Sequence, residues 1–285
     1  MLELVPFLIV NGILLGGLYG CIASGFSIIF GVMKILDINF ANWVILGAFL
    51  TLEIFLFLGV EALYVLPLIF LFIFLLAMAV AKGLLISERF GMDEPLLISF
   101  GLALALENIQ WFIWRADVRL IPSELSGKSI SLFNFVLSLP RLVIFITALS
   151  IFLLVFLLIY RTYFGKALRA VTYDWKTAEM LGINSPKIRY LSYAFAAGLG
   201  AVGGGLFGVV VGFNPSTSWD VLLRVFVAVT LGGVGSIGGT LLGGVIIGIL
   251  ENITSFYLGE MFRNIVLYLV FIILLLFKPH GLLKR

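Results

Sequence analysis

The chain has 285 residues, of which 62% are hydrophobic and 12% charged, and its mean hydropathy is +1.21. A soluble domain is about half apolar and about a quarter charged, so this composition excludes a water-soluble globular protein. The 18 Lys and Arg exceed the 15 Asp and Glu by only three, too few and too dispersed for a nucleic-acid-binding surface. Cys21 is the only cysteine, which excludes an internal disulfide and a thiolate metal site.

Hydrophobic runs of near-membrane length predict an all-α, polytopic membrane protein with one transmembrane domain over residues 1–285. Each run approaches the roughly 20 residues that a helix needs to cross about 30 Å of hydrocarbon. The N-terminus lacks the basic residues of a signal peptide, so we expect the first run to be retained as a helix. The predicted spans are 6–30, 40–59, 63–86, 95–114, 141–160, 190–212 and 262–279.

Residues 222–258 form a glycine-rich stretch that is too long for one span and short for two. We predict two short helices that meet at 232–239, where five of eight residues are glycine. Such broken segments are tolerated only inside protein or along a cavity. The total is then roughly eight or nine transmembrane segments.

Glycines also recur every fourth residue in three places, and each row predicts a groove where a neighbouring backbone approaches closely. The rows are Gly12, Gly16 and Gly20; Gly200, Gly204, Gly208 and Gly212; and Gly235, Gly239 and Gly243.

The distribution of Lys and Arg between loops predicts the orientation. Five lie on one side of the membrane, Arg224 lies within a segment, and twelve lie on the other side. The twelve are Lys34, Lys82, Arg89, Arg161, Lys166, Arg169, Lys176, Lys187, Arg189, Lys278, Lys284 and Arg285. Because short cytoplasmic loops carry the excess of cations, we expect loop 161–189 and the C-terminus in the cytoplasm and the N-terminus outside.

Loop 161–189 carries an amphipathic pattern, with apolar residues every three or four positions from Phe164 to Ala178. On one helix, Ala170, Asp174 and Ala178 would form a low ridge that another protein could clasp, with Asp174 free to accept hydrogen bonds. The alternative is an interfacial helix that its basic residues hold at the membrane.

This loop resembles the cytoplasmic coupling loop of branched-chain amino acid ABC permeases, the LivH/LivM family. The shared pattern is R-T-x-F-G-x-A-L-R-A followed by A-x-x-x-D-x-x-x-A-x-x-x-G-I. Four other segments are also similar to that family: residues 38–41, residues 46–48, the block 229–244 with Glu251, and the tail 278–282. The N-terminal half is closer to LivH, although Asn42-Trp43 stands where the family has His-Gly.

The resemblance implies the permease subunit of an importer that moves branched-chain or other hydrophobic amino acids across the cytoplasmic membrane by alternating access. It implies a second permease, two ATP-binding subunits that hydrolyse the ATP, an external solute-binding protein and surrounding lipid as partners. It implies no nucleic acid, cofactor, metal or catalytic residue in this chain. In the family the loop docks into the ATP-binding subunit, which makes the docking candidates Arg169, Ala170, Asp174, Ala178, Gly182 and Ile183.

Three acidic residues, Glu53, Glu107 and Glu251, interrupt apolar segments. A charged residue at the bilayer centre costs about 2.5–3.5 kcal/mol, so we expect each to face protein or water. Glu107 has Asn108 and Gln110 beside it, which predicts a polar face on the fourth span. The candidate translocation-path residues are Asn39, Asn42, Glu107, Gly233, Gly235 and Glu251.

Other functions stay open at this point. The same architecture could carry urea, short amides or sugars. A stand-alone secondary transporter would predict sequence-related halves, which the chain does not show beyond its glycine spacing. An intramembrane enzyme would need a nucleophile and a base, and His280 is the only histidine.

Overall fold

The structure is a computed structural model that describes residues 5–33, 36–87, 94–132, 135–233, 235–277 and 281. The regular secondary structure of this part of the chain is helical apart from one two-stranded antiparallel hairpin. The elements are α1 (Val5–Met33), α2 (Phe40–Leu58), α3 (Ala62–Ser87), α4 (Glu94–Trp114), β1 (Ser129–Leu132), β2 (Phe135–Ser138), α5 (Leu139–Arg161), α6 (Tyr163–Tyr173), α7 (Trp175–Met180), α8 (Ser185–Val210), α9 (Thr217–Gly232), α10 (Ile237–Leu258) and α11 (Glu260–Phe277).

Eight of these helices are long and apolar enough to cross a membrane: α1, α2, α3, α4, α5, α8, α10 and α11. Their ends lie within a few residues of the predicted spans, which confirms the all-α polytopic fold. With α9 as a shorter ninth segment, the predicted number is also confirmed. The tail motif 278–282 (apart from Gly281) and the cations Lys34, Arg89, Lys278, Lys284 and Arg285 lie outside the described residues.

The glycine-rich stretch is broken where the sequence predicts. Gly233 and Gly235 have φ angles of +85° and +80°, a left-handed backbone that side chains with a Cβ rarely adopt. The two pieces are not both short, however. The helix before the break has 16 residues and begins at Thr217, whereas α10 has 22 residues and is a full-length span.

The centre of the bundle consists of α1 and α8, the two most buried spans. A Cβ added at Gly12 or Gly16 would come within 2.6 Å of the α10 backbone, so α1 and α10 touch backbone to backbone. This confirms the first glycine row as a packing groove.

The other rows behave differently along their length. Gly204 lies against the Val44 backbone of α2, but Gly200 and Gly208 meet side chains, and Gly212 lies beyond the end of α8. In the third row Gly239 and Gly243 pack against the α9 backbone, whereas Gly235 lies in the break with open space beside it.

The loop after α4 and the loop after α8 lie at the same end of the bundle. Arg119 and Phe213 exchange two backbone hydrogen bonds of 2.9 Å between these loops. The hairpin β1–β2 extends from the first of them and was not predicted from the sequence.

Candidate docking and transport sites

Loop 161–189 contains two short helices, α6 and α7, before α8 begins, and not one amphipathic helix. The first, α6, begins where Thr162 accepts a hydrogen bond from the Gly165 amide, and it ends at Tyr173. Asp174 has extended dihedral angles (φ −153°, ψ 104°) and separates α6 from α7. The predicted single helix is therefore wrong, because Asp174 breaks it.

The Asp174 carboxylate is exposed, but most of its acceptor positions are already used within the loop. Its Oδ1 accepts from the amides of Lys176 (3.0 Å) and Thr177 (3.3 Å), and its Oδ2 accepts from the Thr177 hydroxyl (2.5 Å). The Thr177 hydroxyl and the two amides hold the pKa of Asp174 below its ordinary value. An aspartate in this position is an N-cap that starts the second helix.

The continuous ridge proposed for Ala170, Asp174 and Ala178 does not exist. Ala178 is only 2% exposed and faces the bundle, and Ala170 is half-buried, so neither presents an open surface. Ile183 is half-buried as well, and its amide bonds to the Ala178 carbonyl (3.0 Å). Gly182, with φ +84°, is exposed and ends the turn.

The exposed surface of the loop includes three large apolar side chains that sequence reasoning missed. Tyr173, Met180 and Leu181 are exposed at the edges of α6 and α7. They do not belong to the row of apolar residues that recurs every three or four positions, so the amphipathic pattern does not predict them. Their presence on the polar side of that pattern, in a loop rich in charged residues, is the signal that could have predicted an exposed apolar surface. Arg169 is also exposed, and its guanidinium lies 5.1 Å from the centre of the Tyr160 ring.

A second group of polar residues lies between α2, α4 and α9. Glu107 accepts a hydrogen bond from Trp219 Nε1 (2.9 Å). Asn42 donates to the Ala103 carbonyl (3.1 Å), and Gln110 donates to the Asn42 carbonyl (3.2 Å). The side-chain oxygens of Asn42 and Gln110 are buried without a partner in the described structure.

This group borders a narrow cleft with essentially no room for a water molecule. Its lining residues are Ile38, Ala41, Asn42, Ala103, Ser218, Trp219 and Leu222. The predicted polar face of α4 is thus partly right. Glu107 and Gln110 point inward one turn apart, whereas Asn108 is exposed and bonds to its own helix at Leu104 (2.7 Å).

Glu251 belongs to a separate buried cluster. Its Oε1 lies 2.6 Å from Nε of Arg224, and its Oε2 accepts a hydrogen bond of 2.9 Å from Tyr19. Arg263 stands further away, at 3.9 Å. The prediction that Glu251 faces protein is confirmed, but its partner Arg224, 27 residues earlier, was not foreseen.

The remaining acidic residue, Glu53, lies near the end of α2 and is partly exposed. It accepts a hydrogen bond from Trp114 Nε1 (2.8 Å), and Arg119 approaches within 3.8 Å. This arrangement confirms that Glu53 faces protein and water.

The turn before α2 contains a third buried cluster, which includes Asn39 and the unpredicted Asp37. Asp37 Oδ1 accepts from the Asn39 amide (3.1 Å), but Asp37 Oδ2 and both polar atoms of the Asn39 carboxamide have no partner in the described structure. Burial raises the pKa of Asp37 to about 7, although the Tyr193 side chain and the Asn39 amide oppose the increase.

The dipeptide Asn42-Trp43 has a clear structural role. Trp43 is fully buried and donates to the Tyr193 hydroxyl of α8 (3.3 Å), while Asn42 links α2 to α4. The close backbone approaches between α2 and α8 are at Val44 against Gly204 and, one turn after Trp43, at Gly47 against Ala201. The indole is accommodated beside these contacts because neither of them is made by the backbone of Trp43 itself.

Among the six path candidates, the structure brings Asn42 and Glu107 to the same cleft region, with Trp219 touching both the cleft and Glu107. Glu251 and Asn39 belong to the other two clusters, and Gly233 and Gly235 lie in the helix break.

Residues 8–275 match a family model described as the permease component of a branched-chain amino acid transport system. The match extends from the first turn of α1 to the last turn of α11. The chain belongs to this permease family. It is a multi-pass membrane protein of the transport type, which agrees with the resemblance read from its motifs.

Individual relatives support the family over nearly the full length. The chain is 28% identical to the high-affinity branched-chain amino acid transport system permease protein BraD of Pseudomonas aeruginosa, covering 97% of this chain and 95% of the relative. It is 29% identical to LivH of Salmonella typhimurium, covering 96% and 94%. A probable LivH of Methanocaldococcus jannaschii is 32% identical over 53% of this chain and 50% of its own. No solved structure matches.

Proposed function

We propose that this permease is the membrane-spanning subunit of an ATP-driven importer of branched-chain amino acids. The observation that carries the proposal is the family match over 8–275, together with relatives named for that cargo over more than nine-tenths of the chain. In this proposal the chain pairs with a second permease, two ATP-binding subunits that hydrolyse the ATP, and an external solute-binding protein. The chain transports and does not itself catalyse.

The docking surface for the ATP-binding subunit is the outer side of α6 and α7. Tyr173, Met180 and Leu181 expose apolar side chains there, on a loop and not along a lipid-facing span. The candidates Arg169, Asp174 and Gly182 are exposed on the same segment. Ala170, Ala178 and Ile183 do not contact the partner in this proposal. They hold α6 and α7 in place by packing against the core of the bundle.

The translocation path runs beside the cleft between α2, α4 and α9. Glu107 offers a carboxylate for a substrate ammonium group, and Leu222 and Ala103 offer apolar contact for an aliphatic side chain. The cleft is closed here, so transport requires α9 to move away from α2. The break at Gly233 and Gly235 lies at the other end of α9, and such a movement would be hinged there, since these residues already adopt a backbone that other residues resist.

Reconstitution with the cognate second permease, ATP-binding subunits and binding protein in liposomes tests both parts. Met180→Asp should abolish co-purification of the ATP-binding subunit, because it puts a charge into an apolar contact, and leucine uptake should disappear with it. Glu107→Gln should leave co-purification and ATP hydrolysis intact while uptake falls. Ser126→Asp, exposed in the loop before β1, is the matched control for the added charge. Normal leucine uptake by both Met180→Asp and Glu107→Gln would contradict the proposal.

The proposed orientation has the N-terminus outside and loop 161–189 in the cytoplasm. On a Cys21→Ala background, a cysteine at exposed Ser126 should react with an impermeant maleimide in intact cells, and one at exposed Thr177 should not. The reverse pattern would place the docking surface on the wrong side of the membrane.

A further inference from the structure

A second cleft, of about 70 Å³, lies at the end of the bundle that carries α6. Four elements form its walls: α1, α5, α6 and the start of α10. Among its lining residues are Ser27, Ile159, Tyr160, Leu168, Arg169 and Ile237. The volume corresponds to about two water molecules at roughly 30 Å³ each, which is enough for one small oxyanion.

Ser27 places a buried hydroxyl without a partner in the wall of this cleft. The residue is 1% exposed, and its Oγ makes no hydrogen bond in the described structure. A serine inside a helix normally bonds to a carbonyl of the preceding turn. Ser24 of the same helix does so, at 2.6 Å from the Cys21 carbonyl. The Ser27 hydroxyl is thus left for something that enters the cleft, because an unmet buried polar group is costly.

The charges around the cleft favour an anion. Arg169 lies over the Tyr160 ring and forms no ion pair with any carboxylate of the described residues. The cleft also reaches Gly235 and Ile237, at the N-terminus of the 22-residue helix α10. The amides of a first helical turn lack partners within the helix and attract negative charge. None of the residues that line the cleft is acidic.

From these features we propose that the cleft binds a phosphate group. Arg169 supplies the charge-assisted hydrogen bonds, and the Ser27 hydroxyl supplies a neutral one. The start of α10 supplies the amides of Ile237 and Gly238, since the Gly239 amide already bonds to Ser236 Oγ (3.2 Å). The other walls are mostly aliphatic, as Ile159 and Leu168 illustrate, so the phosphate can be that of an anionic phospholipid whose glycerol end rests on them. Basic pockets between membrane helices bind such headgroups. Free inorganic phosphate has the same chemistry and is distinguished below. The proposal does not depend on the transported cargo.

Native mass spectrometry of the full chain in detergent tests the site. Phosphatidylglycerol and diacylglycerol with identical acyl chains, which differ in the phosphate group, are titrated in parallel, with and without inorganic phosphate. We expect phosphatidylglycerol to bind more tightly, and Arg169→Gln to weaken this binding about tenfold by loss of the charge-assisted bonds. Ser27→Ala should weaken it by a factor of about three, and Arg169→Lys should restore most of the preference because the charge returns.

Lys187→Gln is the matched control, since Lys187 is exposed in the first turn of α8 and does not line the cleft. It should bind phosphatidylglycerol as the unmodified chain does. Binding of inorganic phosphate by itself, lost in Arg169→Gln, would support the site with the free anion as its source. Equal binding of the two lipids without phosphate binding would overturn the proposal, as would an unchanged affinity in a folded Arg169→Gln variant. The comparison of lipids on the unmodified chain decides the matter even if the variant does not fold.

Discussion

Glu251 and Asp37 are both buried carboxylates, but among the described residues only Glu251 forms an ion pair. Around Glu251, Arg224 and Tyr19 hold both carboxylate oxygens and join α9, α10 and α1. Around Asp37, one carboxylate oxygen and the whole carboxamide of Asn39 lack hydrogen-bond partners in the described structure.

The difference separates a structural contact from a site that can change its partners. Removing one member of a buried ion pair leaves an uncompensated charge, so the Glu251 cluster resists any movement that separates its helices. Unpaired polar atoms lose nothing when a neighbour moves, and they gain when water or a ligand arrives. The unpaired group extends from Asp37 and Asn39 along α2 to Asn42 and across to Gln110, next to the closed cleft.

The largest expected effect is at the ion pair. Arg224→Leu should destabilise the chain by about 3–5 kcal/mol, because the Glu251 carboxylate remains buried without its cation. Thermal unfolding in detergent measures the change. Arg263→Leu is the control, since Arg263 is partly exposed and 3.9 Å from Glu251, and it should cost much less. Equal stabilities of the two variants would remove the structural role assigned to Arg224.

The next effect concerns the backbone contact between α10 and α1 at Gly244 and Gly20. A Cβ at Gly244 of α10 would lie 2.5 Å from the Cα of Gly20, so Gly244→Ala should cost about 1–3 kcal/mol by overpacking. Gly238 of the same helix has nothing within 4 Å of such a Cβ. Gly238→Ala should therefore be neutral or slightly stabilising. If both variants unfold at the same temperature, the contact between α1 and α10 at Gly244 is looser than the structure shows.

A pH-dependent effect is expected on the unpaired side. The pKa of Asp37 rises on folding from 3.8 to about 7, so the folded chain holds the proton that the unfolded chain releases. Stability should fall as pH increases from about 4 to about 7 and then level off. Asp37→Asn should remove this slope and raise the unfolding temperature at pH 8, because the carboxamide never ionises. Unfolding profiles of the two proteins between pH 5 and 8, at about half-unit steps, measure it. Parallel profiles would show that Asp37 is hydrated or paired in solution.

The smallest stability effect should be at Gln110. Its Nε2 bonds to the Asn42 carbonyl, while its Oε1 has no partner in the described structure. Gln110→Leu removes one hydrogen bond, which destabilises the fold, and one buried oxygen without a partner, which stabilises it. The two effects oppose each other, so the free energy of unfolding should change by less than about 1 kcal/mol. Leucine uptake should fall by more than stability does if the α2–α4 cleft opens during transport. Gln110→Glu, which adds a charge at the same place, should reduce stability further.

The sequence by itself determined the spans, the helix break and the family. Hydrophobic runs are read from composition because every backbone group in lipid must be satisfied within its own helix. The break at Gly233 and Gly235 is local as well, since positive φ angles select glycine. The packing face of Gly12, Gly16 and Gly20 was also predictable from the sequence, because glycines at every fourth position create a groove on any helix.

Only the tertiary structure decided which polar residues meet. Arg224 and Glu251 are 27 residues apart on different helices, and nothing in either segment indicates that they face each other. Asp174 occupies a helical position in the pattern, but its side chain caps the next helix and ends the previous one. Ala178 fits a surface ridge by spacing and is buried because the chain turns there. Periodicity records the direction of a side chain only while the helix continues, and pairing between helices depends on how the whole bundle packs.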